Sequence, residues 1–144
     1  MKFRFETLLK VNKEREDLIQ KELGRILSHL QNQKERLRFM EDITEDRKKQ
    51  LNRKMGEEMS VNSMMLYNNF FMGVQLEKTR QEKVIAEVAE KFESKKQELL
   101  AAMRKRRTLE ILKERDFSAF KKLQNKTEVD MLDETGSNVW RMNL

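Results

Sequence analysis

The sequence predicts an all-α fold, a long two-helix antiparallel coiled-coil hairpin. Three observations carry this. The chain has no Pro and only four Gly in 144 residues, so little interrupts helix. Apolar residues recur at alternating spacings of four and three along two long stretches, the pattern of a narrow helix–helix seam. Only 38% of residues are hydrophobic and they are evenly dispersed, too thin a supply for a wide core. The length suits one coiled-coil domain over residues 1–144.

Helix one is expected over about residues 4–55. Its seam reads Phe5, Leu9, Asn12, Glu16, Ile19, Leu23, Ile26, Leu30, Gln33, Leu37, Met40, Thr44, Arg47 and Leu51. Leu8, Leu18, Leu27 and Ile43 would widen that stripe. Gly56 offers a C-terminal stop and opens a turn over residues 56–60. Ser60 or Ser63 can cap the next helix by accepting a bond from a free backbone N–H.

Helix two is expected over about residues 61–125. Its seam reads Tyr67, Phe71, Val74, Lys78, Gln81, Ile85, Val88, Phe92, Lys95, Leu99, Ala102, Arg106 and Leu109. Past Asn125 the pattern fails and Thr135–Asn138, TGSN, reads as a turn, so residues 126–144 are expected as a flexible tail. With the turn near residue 58, Phe5 would face about residue 112. Phe117, Phe120 and Leu123 would then overhang the start of helix one. Two complementary seams in one chain predict a monomer when free. Polar seam residues, among them Gln33, Lys78, Gln81, Lys95 and Arg106, set register or reach out to water.

Charge is distributed unevenly. Asp, Glu, Lys and Arg make up 39% of the chain, yet Met59–Leu76 holds none of them in eighteen residues. This segment is the packed tip of the hairpin, a partner surface, or both. Tyr67, Phe71 and Val74 fit the seam, but Leu66, Phe70 and Met72 do not all fit a stripe two residues wide. Met is flexible and polarizable and suits adaptable contacts. The segment is too rich in Ser, Asn and Gln to cross a membrane. The opening MKFRFETLLK is too charged for a signal peptide.

Nothing in the sequence points to catalysis, a cofactor or a metal. There is no Cys, no phosphate-cradling Gly-rich loop, and a single His29 that falls beside the seam. Glu41/Asp42 and Glu45/Asp46 read as solvated helix charges among Arg47 and Lys48. The net charge of +6 divides into +4 over residues 1–57, +4 over 58–125 and −2 over 126–144. Arg104–Arg107, RKRR, is the sharpest basic run. On a helix its four side chains point in all directions and lack interleaved aromatics, which argues against nucleic acid.

Several segments together resemble the flagellar export protein FliJ family. The opening FRFETLLKVNKERED resembles that family's F-x-F-x-x-LL…E start. Met59, Ser60, Tyr67 and Phe70 match its Met-Ser…Tyr-x-x-Phe segment, although Val74 stands where a leucine spacing is expected. Glu128, Asp130, Asp133 and Glu134 resemble its acidic ending.

The resemblance implies a non-catalytic part of the type III export apparatus, similar in form to the central stalk of rotary ATPases. Its implied partners are the export ATPase FliI hexamer, the cytoplasmic part of the export gate FlhA, and export chaperones. The implied place is the cytoplasm, peripheral to the inner membrane at the flagellar base. A stalk protein of a virulence secretion system, or a coiled-coil adaptor without an ATPase, are the alternatives.

Surplus apolar surface then suggests two sites. Phe70 and Val74, with Met40 and Ile43 of the facing arm, are expected to contact the export gate. Phe3, Phe5, Leu8, Leu9, Phe117, Phe120 and Leu123, backed by Arg104, Arg106 and Arg107, are expected to contact the ATPase ring.

Overall fold

The computed structural model describes residues 2–143 and contains two helices, α1 (Glu6–Met55) and α2 (Val61–Met142), packed against each other. Their contacts divide the chain into two compact units. One is Ile19–Glu98; the other joins Met1–Leu18 to Leu99–Leu144.

The ends of the helices follow their local chemistry. Ser60 caps α2: its hydroxyl accepts from the Ser63 N–H at 3.2 Å, and its carbonyl accepts from the Met64 N–H. Arg53 and Lys54 lie in the last turn of α1, where positive charge favours the carbonyl end of the helix dipole. Gly56 follows without a positive φ. The stop is a tight turn in which Glu57 N–H reaches the Lys54 carbonyl at 3.0 Å, not a left-handed glycine cap.

In the Ile19–Glu98 unit, partners descend α2 as they ascend α1. Glu22 meets Lys95, Gln33 meets Gln81, Glu41 meets Lys78 and Arg47 lies over Phe70. The helices are therefore antiparallel. Ile19, Leu30 and Val88 are buried between them. Gln81 is as deeply buried as these, at 6% exposure, and its amide is satisfied across the seam.

In the other unit the same order holds, with Glu6 meeting Lys113 and Glu16 meeting Arg106. Phe3, Leu9, Ala102 and Leu109 form its core.

Every α2 seam position from Tyr67 to Leu109 is buried or half-buried, as the spacing predicts. In α1 the seam holds from Leu9 to Leu51 except at Arg47, which is exposed and lies over the Phe70 ring instead. Phe5 is also displaced from the seam. Phe3 takes the buried place, and the two rings meet edge-on at 5.9 Å. Leu8, Leu18 and Leu27 are exposed, because a seam of alternating four and three is too narrow to cover its flanks. Ile43 is half-buried.

The expected flexible tail is helix. α2 continues through Asn125 and through Thr135–Asn138 to Met142, with Asn143 N–H still reaching the Val139 carbonyl. Weak helix formers raise the cost of helix but only Pro removes the hydrogen bond and clashes, and there is no Pro here. Gly136 adopts no positive φ.

Candidate functional site

Two surfaces carry apolar side chains beyond what the seam needs, one in each unit.

The first lies beside the charge-free start of α2. Met40 and Ile43 of α1 and Phe70 and Val74 of α2 line one groove, with Asn69, Gly73 and Glu77 at its edge. All four expected gate-contact residues are thus brought together, each half-buried. A side chain at Gly73 would meet nothing within 4 Å, so this glycine leaves the groove open without being needed for close packing.

Phe70 is held from several directions. Its ring meets Phe71 edge-on at 5.6 Å, and the Arg47 guanidinium sits 5.7 Å from its centroid. Lys54 sits in the same way 5.6 Å from the Tyr67 ring. Cations over aromatic faces orient the rings and keep charge at the rim.

A second apolar row on α2 was only partly legible in the sequence. Val61, Met65, Met72 and Leu76 are all exposed, at spacings that place them on one face. That face lies away from Tyr67, Phe71 and Val74, which the seam uses. The signal was the run of Met within a charge-free helix.

The second surface lies in the unit that holds both terminal segments. Of the residues expected at the second surface, Phe5, Leu8, Phe117, Phe120 and Leu123 are exposed. Phe3 and Leu9 are not available: they are 6% and 2% exposed and belong to the core. Sequence spacing placed Leu9 in the seam and at the site together, and burial against α2 decides for the seam.

The basic run is divided among different tasks. Arg106 turns inward and donates to Glu16 across the seam and to both carboxylate oxygens of Glu110. Its guanidinium is held in the charged form, chiefly by Glu16 and then by Glu110. Glu110 in turn sits below the usual carboxylate range because Arg106 donates to it. Lys95 is raised by its bonds to Glu22 and Glu98. Arg106 is therefore a seam residue and not a free contact. Arg107 lies near Glu110 and Glu114 at 3.5 and 3.6 Å. Arg104 stays exposed beside Lys105, Leu8 and Val11 in a shallow groove.

Past Glu110 every described residue of α2 is exposed. The apolar set therefore extends beyond Leu123 to Met131, Leu132, Val139 and Trp140, which the expected tail had concealed. The absence of Pro was the signal that helix continues.

Among the described residues no three His, Cys, Asp or Glu side chains converge to hold a metal ion, and no helix is long and apolar enough to cross a membrane. His29 is exposed. What the geometry offers is two surfaces for apolar partners, each bordered by charge.

The family model described as flagellar FliJ protein matches residues 1–144. No curated protein and no solved structure matched the chain.

Proposed function

Because this chain belongs to the flagellar FliJ family, and so is a component of the flagellar type III export apparatus, we propose that it links the export ATPase to the membrane export gate. It does so as a binding protein without catalysis of its own. The groove of Met40, Ile43, Phe70 and Val74 receives the cytoplasmic part of the gate protein FlhA. Phe5, Leu8, Phe117, Phe120 and Leu123, with Arg104 and Arg107 nearby, engage the ring of the ATPase FliI. Export chaperones are escorted by the same protein. It works in the cytoplasm, peripheral to the inner membrane at the flagellar base.

The observation that supports this reading best is the exposure of Phe117 and Phe120 on a stretch of α2 that α1 does not cover. Large aromatic side chains in solvent are costly unless a partner covers them. We take an export ATPase as that partner because the chain belongs to an export family.

The test is ATP turnover by the export ATPase with the wild-type chain against the Phe117→Ser, Phe120→Ser double variant. Wild type is expected to raise turnover and the variant to lose most of that effect while remaining helical. Equal stimulation by both would remove the ATPase from this surface.

A further inference from the structure

We infer that residues 117–142 of α2 pair with the same segment of a second copy, antiparallel. All of this segment is exposed, although it spans more than three heptads. It also runs through Thr135, Gly136, Ser137 and Asn138, four weak helix formers in a row. A helix of that composition gains most of its stability from packing, and α1 supplies none here.

Five of the segment's exposed apolar side chains, Phe117, Phe120, Met131, Val139 and Met142, lie within one stripe on helical spacing, while Leu123, Val129 and Trp140 lie off it. With a two-fold axis near Val129 and Asp130, Phe117 faces Met142 of the second copy and Phe120 faces Val139. Met131 then lies close to the axis. A two-fold pairs each such contact twice.

Charge selects both the occupant and the direction. Residues 117–129 carry three basic and one acidic group, net +2. Residues 130–142 carry one basic and three acidic groups, net −2. Parallel pairing sets like charge against like along the whole length. Antiparallel pairing about that axis sets Lys126 opposite Asp133 and brings Lys121 and Lys122 within about one helical turn of Glu134, twice. The segment is complementary to itself in that direction alone. It lies outside the seam that α1 and α2 close within one chain, so a chain whose seam is complete as a monomer can still pair through it. Phe117 and Phe120 are also the side chains assigned above to the ATPase ring, so the two contacts exclude each other on one chain; the test below contains no ATPase, and its outcome is separate from that reading.

The experiment is sedimentation equilibrium of the full chain across micromolar concentrations. The expected mass doubles with concentration. Raising salt from roughly 0.1 to 1 M, which shortens screening from about 10 to about 3 Å, should weaken the pair roughly tenfold. Two charge reversals test the charge complementarity. Lys121→Glu with Lys122→Glu and Lys126→Glu makes both halves acidic; Asp130→Lys with Asp133→Lys and Glu134→Lys makes both basic. Each variant alone should be a folded monomer by circular dichroism and sedimentation, and the mixture should form a heterodimer. A spin label at Ser118→Cys should show a distance of about 35 Å in the wild-type background, from 1.5 Å per residue along the paired helices. A wild-type chain that stays monomeric, reversal variants that still self-associate, or a short label distance typical of parallel helices would each overturn the inference.

Discussion

The Gln81 side chain donates its amide to Gln33 twice, at 3.0 Å to the backbone carbonyl and at 2.6 Å to the side-chain oxygen. Gln81 is buried and sits among apolar seam layers, so this pair fixes one register of α2 against α1. A slip by one heptad would strand the buried amide, at a cost larger than the bond itself contributes.

Gln81→Ala is expected to destabilise the hairpin by about 1–2 kcal/mol, since a donor is lost and a packed side chain shortened. In a double-mutant cycle with Gln33→Ala, urea denaturation should show coupling of about 1 kcal/mol. Additive effects would mean that the two side chains do not act together.

Burial separates Leu9 from the exposed residues near it. Leu9→Ala is expected to lower stability by about 2–3 kcal/mol, because the side chain is 2% exposed. At concentrations where the chain is monomeric, Phe117→Ser should change stability by no more than about 0.5 kcal/mol, as exposed substitutions usually do. Thermal unfolding of both variants checks this. Equal losses would place Phe117 in a core that the structure does not give it.

Much of this was readable before folding. The alternation of four and three located the α2 seam from Tyr67 to Leu109, and the Ser60 cap and the turn at 56–60 followed from residue types. Spacing alone could not decide which of Phe3 and Phe5 enters the core, because the chain before Glu6 is not yet helix and its direction depends on tertiary contacts. The role of Arg106 was hidden for a similar reason. Within RKRR only the helix phase and the facing Glu16 distinguish it from Arg104 and Arg107. The end of α2 was misplaced because TGSN is a turn signal by preference and not by prohibition. The groove of Met40, Ile43, Phe70 and Val74 was legible, since both arms put surplus apolar residues at matching distances from the turn.

Acid should loosen the unit that contains Glu110. Its carboxyl is held below its ordinary value by Arg106, so the folded state binds the proton less readily than the unfolded chain. The stabilising contribution is present above the unfolded Glu value of about 4.3 and fades as pH falls through the lower folded value. Glu110→Gln removes it. Between neutral pH and about pH 3 the variant's urea midpoint should fall less than the wild type's. Parallel curves for the two proteins would contradict the Arg106–Glu110 link.

Alkali should act on Lys95 in the opposite sense. Bonds to Glu22 and Glu98 raise its pKa, so its contribution is complete below the unfolded Lys value of about 10.4 and is lost as pH rises through the folded one. Lys95→Met should flatten the alkaline limb of the stability curve. An unchanged limb would show that the ion pairs contribute nothing.

The groove can be closed without touching its walls. Gly73→Ala should stabilise α2 by about 0.5–1 kcal/mol, as Ala is the better helix former and no neighbour lies within 4 Å. Gly73→Trp should keep the helix and block binding of the gate protein's cytoplasmic part. Phe70→Ala should weaken the same binding with helicity nearly intact. Calorimetric titration measures both, and full binding by Gly73→Trp would exclude the groove as the gate site.

A role in flagellar export through these apolar surfaces is read from the amount of flagellar protein exported by cells that lack the chain and are supplied with wild type, Phe70→Ala, or Phe117→Ser with Phe120→Ser. Loss of the chain should reduce export strongly, wild type should restore it, and both variants should fail to do so while accumulating as folded protein. Normal export without the chain, or full restoration by both variants, would contradict the account.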